Sequence, residues 1–358
     1  MSLTQHELVE KIGVSRGTLH RVLSGSPLVK ASTRERVLRE LDRLSYVPNA
    51  IAQGLKTRRT KTLGVIGPAT ANVSNADKFT SLYLAAREQG YSIVFGYSDG
   101  SSEADSNSIR DLRSRMVDGI VAFGRGLQEA TPLYRNLIKD KIPFVSLYPT
   151  PGVEVDCVYV DTRMAFRHLT EHLIGLGHSD IGLLINSSHS LFITNRELGF
   201  RDAMTKAGLP VREDWVIRTT PEGSPKRDGE EREKQIWQTS DYQHGFWGAS
   251  HLFANRRRPT ALVCMTDEAA IGVLRSADLA GIKVPQELAI VGYDDKDSAG
   301  FARVPLTTMH QPDELIGREV ISLLIMRIRG ELPRKPVVQS LQAQLVVRES
   351  CGAKLREK

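Results

Sequence analysis

The stretch Val14-Ser15-Arg16-Gly17-Thr18-Leu19-His20-Arg21-Val22-Leu23 limits what this chain can fold into more than any other. Leu19, Val22 and Leu23 recur at helical spacing and define an inward face, which leaves Arg16, Gly17, Thr18, His20 and Arg21 on the outer one. Ser15 stands where an N-cap belongs. Upstream, Thr4-Gln5-His6-Glu7 reads as a capping box opening an earlier helix with Leu8, Val9 and Ile12 on its apolar side. Gly13 supplies the residue at which a short turn redirects the chain. Downstream, Ser32-Thr33-Arg34-Glu35 reads as a second capping box, and Val37, Leu38, Leu41 and Leu44 are expected to close a three-helix core. The pattern is that of a helix-turn-helix unit, whose projecting second helix suits base edges in a major groove.

Charge is concentrated on the same unit. The first 62 residues hold 12 Lys and Arg against 5 Asp and Glu, whereas the remainder holds 36 against 37. A cationic module of this kind suits a polyanion, because Lys and Arg that neutralise phosphates release condensed counterions. Cys157, Cys264 and Cys351 are far apart and form no metal-like pair, so they read as buried or incidental thiols in a reducing compartment. Neither an apolar signal region nor a bilayer-spanning stretch is visible, so a soluble cytoplasmic protein without membrane contact is expected.

After the third helix, Pro48 can open another, but the run to Lys56 is only about two turns, below what is stable alone in water. It is expected to be helical only against a support, such as a DNA minor groove with a second copy beside it and Leu55 as the wedge between base steps. A flexible tether fits its composition equally well. From Thr62 onward, β-rich runs alternate with amphipathic stretches, the signature of parallel sheets covered by helices. Residues 63–66, 91–95, 119–123, 144–147 and 157–160 make one set of strands, and 181–185, 261–264 and 288–292 a second. A chain of 358 residues has ample material for such a pair of lobes. Ligands settle at the carboxyl ends of strands in open sheets, so the cleft between facing lobes is the expected pocket. Residues 221–238 are rich in Pro, Gly and charge and read as a surface excursion.

With Val14–Leu23 now stand Thr33-Arg34-Glu35-Arg36-Val37, Tyr46-Val47-Pro48-Asn49-Ala50-Ile51-Ala52, Thr60-Lys61-Thr62-Leu63-Gly64-Val65, Val117-Asp118-Gly119-Ile120, Leu176-Gly177-His178, Thr266-Asp267-Glu268-Ala269-Ala270-Ile271-Gly272, Val291-Gly292-Tyr293-Asp294-Asp295 and Pro305-Leu306-Thr307-Thr308. In this order, and nearly end to end, the chain resembles the LacI/GalR family of bacterial transcription regulators. The resemblance implies an all-α helix-turn-helix headpiece (1–46), a hinge helix or linker (47–60), and an α/β core like periplasmic sugar-binding proteins. That core would comprise two doubly wound parallel-sheet lobes, 61–160 with 310–339 and 161–309 with 340–350, followed by a tail (351–358). It further implies a homodimer that binds a near-palindromic double-stranded DNA operator and is controlled by a small sugar or sugar derivative in the interlobe cleft, with no cofactor, metal or catalytic residue.

Carried over by position, Ser15, Arg16, Gly17, Thr18, His20 and Arg21 fall on the DNA-reading helix, and Ala52, Leu55 and Lys56 on the minor-groove segment. Gly17 offers no side chain, which leaves Arg16, Thr18 and His20 as base readers, Arg favouring guanine through its bidentate fork. Gly54 in the hinge costs about 1 kcal/mol relative to Ala in a helix. Tyr148, Phe192, Thr194, Arg196, Thr266, Asp267, Asp294 and Gln311 fall at ligand-contacting positions, with Tyr242 or Trp237 as the aromatic stacking partner. Arg supplies fixed donors and Asp accepts from paired hydroxyls; a structural ion pair between Arg196 and Asp294 across the lobes is the plainer alternative.

Other function classes leave weaker marks. His168-Leu169-Thr170-Glu171-His172 has the spacing of an inverted zinc-protease motif but lacks an identifiable third ligand. Gly124-Arg125-Gly126 begins like a dinucleotide loop without the third glycine. A solute receptor without DNA function is the remaining rival, and the cationic N-terminal unit argues against it.

Overall fold

The computed structural model describes residues 5–355 except 24–25, 45, 47–58, 69–72, 99–101, 124–130, 151, 188–189, 220–239 and 256. The expected capping residue Thr4, the hinge residues Ala52, Gly54, Leu55 and Lys56, the Gly124-Arg125-Gly126 run, the 221–238 excursion and Trp237 lie outside the described residues. Contacts divide the chain into two units, Met1–Thr60 and Lys61–Lys358.

The first unit holds α1 (Gln5–Ile12), α2 (Arg16–Leu23) and α3 (Ala31–Arg43). Leu8, Ile12, Leu19, Val22, Val37 and Leu41 are buried together at its centre, two apolar side chains from each helix. Gly13 takes φ +67°, the left-handed conformation that a side chain disfavours, and this ends α1. The Ser15 hydroxyl accepts from the Thr18 amide at 3.1 Å and so caps α2. Two expectations fail in α3. The Arg34 amide already bonds the Lys30 carbonyl at 3.0 Å, so the N-cap is Lys30, without a side-chain cap, and Ser32 lies inside the helix. Leu38 is 49% exposed, because Val37 and Leu41 take the inward face and the next residue turns roughly 100° away.

The second unit begins with β1 (Thr62–Gly67), α4 (Val73–Glu88), β2 (Ser92–Tyr97), α5 (Ser102–Ser114), β3 (Gly119–Ala122), α6 (Thr131–Lys139), β4 (Phe144–Ser146) and β5 (Asp156–Val160). A second run follows: α7 (Thr162–Gly175), β6 (Ile181–Asn186), α8 (Leu191–Lys206), β7 (Val216–Thr219), α9 (Asp241–Phe253), β8 (Ala261–Cys264), α10 (Asp267–Leu279) and β9 (Ala289–Val291). The chain ends with α11 (Asp297–Gly300), β10 (Thr308–His310), α12 (Asp313–Arg329), β11 (Val338–Leu341) and β12 (Gln344–Val346). Two parallel sheets result, ordered β11-β5-β4-β3-β1-β2 and β7-β6-β8-β9, and β10 pairs antiparallel with β12. Every residue of β3 and of β6 is buried, as expected of parallel strands covered on both faces. Close helix pairing in the second lobe depends on absent side chains: a Cβ on Gly245 of α9 would collide with the Ala269 carbonyl of α10.

The chain passes from lobe to lobe after β5, again between β10 and α12, and a third time between β11 and β12. The lobe boundary expected at 339/340 falls inside β11, whose Ser340 and Leu341 pair with Tyr159 and Val160 of the first sheet. The tail expected from 351 likewise starts too early. Cys351 is buried in the core of the second lobe, and neighbouring Ser350 ties Thr307 to Ile290 through its hydroxyl. All three cysteines are buried. Among the described residues no helix is long and apolar enough to cross a membrane.

Candidate DNA-reading helix and effector cleft

In the N-terminal unit, α2 buries Leu19 and Val22 and exposes Arg16, Gly17, His20 and Arg21, with Thr18 partly covered. Ser15 spends its hydroxyl on the helix cap and on the Thr18 hydroxyl at 2.9 Å, so its task is to hold the helix start. A Cβ at Gly17 would meet only the Ser15 hydroxyl at 3.8 Å, so this position offers a close backbone approach.

In the second unit the site is built on α8, whose two faces differ. Phe192 and Arg196, one turn apart, share a face. Arg196 is 7% exposed, and its Nη1 donates to the Met265 carbonyl at 2.8 Å. The guanidinium lies over the rings of Tyr293 (4.8 Å), Phe192 (5.3 Å) and Phe166 (5.4 Å). Its Nε finds no acceptor among the described residues. The Phe192 ring in turn faces Tyr148 of the first lobe at 5.7 Å. Thr194 lies on the opposite face and, with Asn186, Glu197, Arg201 and Arg218, lines a separate cavity of about 310 Å³. Its expected place beside Arg196 is therefore wrong, since a two-residue step on a helix turns roughly 200°.

Asp294 follows β9 with φ +122°, and Asp295 has φ +56°. A non-glycine backbone held in this region is strained, and here it is fixed by the Asp294 amide bonding the Met309 carbonyl at 2.9 Å. Asp294 accepts from the Gln311 side-chain amide. Burial raises its pKa, while Lys78, Arg196 and Lys296 pull the other way. The alternative of a direct Arg196–Asp294 ion pair thus gives way to Gln311 on the aspartate and aromatic rings on the arginine.

Asp267 is fully buried and takes a different role from the one expected of it. Its two carboxylate oxygens accept from the Thr308 hydroxyl at 2.6 Å and the Lys296 amide at 2.9 Å, which clamps β10 and the 294–296 turn to α10. Burial, with Asp294 nearby, raises its pKa to about 7. Thr266 also departs from expectation: its hydroxyl caps α10 by accepting from the Ala269 amide at 3.2 Å and donates to Asp241 at 3.1 Å. Thr266 is thereby engaged in holding the second lobe together, whereas Tyr242 is 39% exposed on α9 beside Ser298.

Sequence reasoning missed the charged group beside this cluster. Lys296 Nζ contacts Asp77 of α4 at 2.6 Å and Asp313 of α12 at 2.7 Å, and Lys78 contacts the other oxygen of Asp313 at 3.2 Å. Burial opposes the Lys296 charge, but the surrounding carboxylates outweigh it and leave its pKa above the ordinary lysine value. Tyr293 was missed as well, although it stands beside Asp294 in a stretch already singled out. The charged residues carried no sequence signal, because a lysine in a polar turn looks solvated until a second lobe covers it.

His172, half-buried, has Nε2 3.3 Å from the Cys351 sulfur, and Glu171 pairs with Arg167 and Lys206, each at 3.0 Å. The metal-like spacing on α7 is therefore taken up by packing.

A periplasmic binding protein-like domain family matches residues 170–351. The transcriptional repressor PurR of Vibrio parahaemolyticus is 28% identical over 347 residues, which span 97% of this chain and 98% of PurR. A solved complex of the transcriptional regulator CelR with cellobiose is 29% identical, covers 97% of this chain and 99% of its own, and superposes with a TM-score of 0.69. The chain belongs to the LacI/GalR family. The operator-bound lac repressor dimer, at 23% identity, agrees in fold, with a TM-score of 0.82 over 98% of this chain and 99% of that one. This LacI/GalR member is a DNA-binding transcriptional repressor whose core binds an effector.

Proposed function

We propose that this repressor binds a near-palindromic operator as a homodimer and is controlled by a small polyhydroxylated effector, a sugar or sugar derivative, held between Arg196, Asp294 and Gln311. One observation carries the effector site: a buried guanidinium whose Nε has no acceptor among the described residues, caged by aromatic rings and close enough to Asp294 to act on its charge. Buried donors are normally satisfied, so this one is kept for a ligand oxygen. Tyr148 and Phe192 supply apolar faces for the C–H side of a sugar ring, and Asp294 accepts from its hydroxyls. Arg16, Thr18 and His20 read base edges, Ser15 and Gly17 fix the approach of the helix, and Arg21 contacts phosphate. Ala52, Leu55 and Lys56 serve the minor groove. The relatives that are named are regulators, which supports a binding role without catalysis.

Support for the homodimer comes from β2 at the sheet edge, where Phe95 and Tyr97 are 54% and 55% exposed, with Tyr83 and Leu84 exposed on neighbouring α4. Such an apolar edge suits a second copy of the chain. Thermal-shift screening against sugars, sugar phosphates and polyols, followed by calorimetric titration of the best ligand into wild type and Arg196→Met, tests the effector site. Wild-type affinity in the variant would sink it.

A further inference from the structure

The ion pairs of Lys296 tie the two lobes together beside the effector residues. Lys296 belongs to the second lobe, yet both carboxylates that hold its ammonium belong to the first: Asp77 on α4 and Asp313 at the start of α12. Its side chain is 7% exposed and that of Asp313 14%, so this contact is formed out of water, whereas Asp77 is 49% exposed. The backbone beneath Lys296 is held independently, since its amide donates to Asp267.

Two short segments carry both this contact and the proposed effector site. Asp294 stands two residues before Lys296, and Gln311 two residues before Asp313. The Asp294–Gln311 hydrogen bond and the Lys296–Asp313 ion pair are thus successive rungs between the same segments. The Asp313 amide also bonds the Gln311 carbonyl at 2.9 Å, so a shift of one rung moves the other.

We propose that Lys296 is an interlobe latch that holds one closed register of the lobes without ligand, and that an effector competing for Asp294 or Gln311 acts on the repressor by shifting this rung. A buried ion pair contributes little net stability once desolvation is counted, but it strongly disfavours any arrangement that leaves one charge covered and unpaired. Its effect is therefore on which lobe arrangement is populated. An effector can alter that population only through differential contact with the two arrangements, and the shared segments provide such contact. The second half of the proposal rests on the effector site proposed above; the latch itself does not.

Hydrogen exchange of the full-length, ligand-free protein, read by mass spectrometry, tests the latch without needing effector or DNA. Lys296→Met removes the ammonium and leaves Asp313 paired with Lys78. It is expected to speed exchange roughly tenfold in residues 292–300 and 308–318, while strands β3 and β8 keep wild-type protection. Asp77→Asn, at the half-exposed end, is expected to give the same pattern at lower amplitude, and Lys296→Arg to restore protection. Unchanged exchange in those segments in both Lys296→Met and Asp77→Asn, or a rise spread evenly over both sheets in Asp77→Asn, would overturn the latch. Because no ligand is added, the latch can fail while the effector site survives, and the reverse.

Discussion

Helix α2 of the N-terminal unit and helix α8 of the core each carry the side chains assigned to recognition, but they divide fold from function in opposite ways. In α2 the residues that fold the helix, Leu19 and Val22, are buried, and those proposed to read DNA are in water with little part in stability. In α8 the arginine proposed to bind effector is itself buried, caged by three rings and bonded to a carbonyl just after β8. A helix that faces a polyanion can keep its chemistry outside the fold. A helix that lines a closed cleft cannot, so the side chain proposed for binding is also one of those packed in the core.

The sharpest break of this contrast is Leu19→Ala. Losing a fully buried leucine costs about 2–5 kcal/mol, more than a three-helix unit of this size can spare. Operator binding in a gel-shift assay is expected to vanish while the main calorimetric melting transition of the core stays in place. Arg16→Ala should be nearly as severe for DNA but silent for folding: about 1–3 kcal/mol is lost per bidentate base contact, twice in a dimer, with the melting curve unchanged. A loss of core stability in either variant would mean the two regions are not separable.

Arg196→Met should show the reverse coupling. Effector affinity should fall tenfold or more, yet the ligand-free melting temperature should hold or rise, because an apolar side chain replaces a buried charge that forms no ion pair among the described residues. A drop of several degrees in the ligand-free protein would show that the guanidinium is structural.

Acidity gives a smaller effect. Asp267 has its pKa raised from the ordinary carboxylate value to about 7, so the native state holds a proton that the unfolded chain has released. Its contribution to stability is present below about pH 4 and is lost as pH rises from there to 7. The difference in melting temperature between wild type and Asp267→Asn, followed from pH 4.5 to 7.5, should therefore change steadily across that window and level off above it. A flat difference would place Asp267 outside the titrating set. Smallest of all is Thr194→Val: lying on the far face of α8, it should leave effector affinity within twofold by calorimetry. A larger loss would put the effector in the cavity by Glu197 and Arg201 instead.

The errors of sequence reading follow the same division. In the N-terminal unit the inward and outward sets on α2 were legible, since a 3.6-residue period and a cap at Ser15 are local properties. The failures in α3, Leu38 and Ser32, are local as well and turn on where the first helical turn closes. In the core, the candidate polar residues divided by tertiary role: Asp294 and Gln311 meet with Arg196 close enough to act on the Asp294 charge, Thr266 and Asp267 hold backbone, and Thr194 faces away. Residue type and order cannot separate these, because a hydroxyl that caps a helix and one that meets a ligand are the same chemical group.

What the amino-acid order determined by itself was the helix-turn-helix unit with its charge, the alternation of strands and helices, and the family. Those rest on spacing along one element and on composition. Tertiary structure alone decided that β11, from near the end of the chain, completes the first sheet, that Cys351 and Ser350 belong to the second lobe, and that Lys296 finds both its counter-charges across the cleft. Such contacts join residues as far apart as Asp77 and Lys296, and nothing in a local window sets which distant carboxylate a buried ammonium will meet.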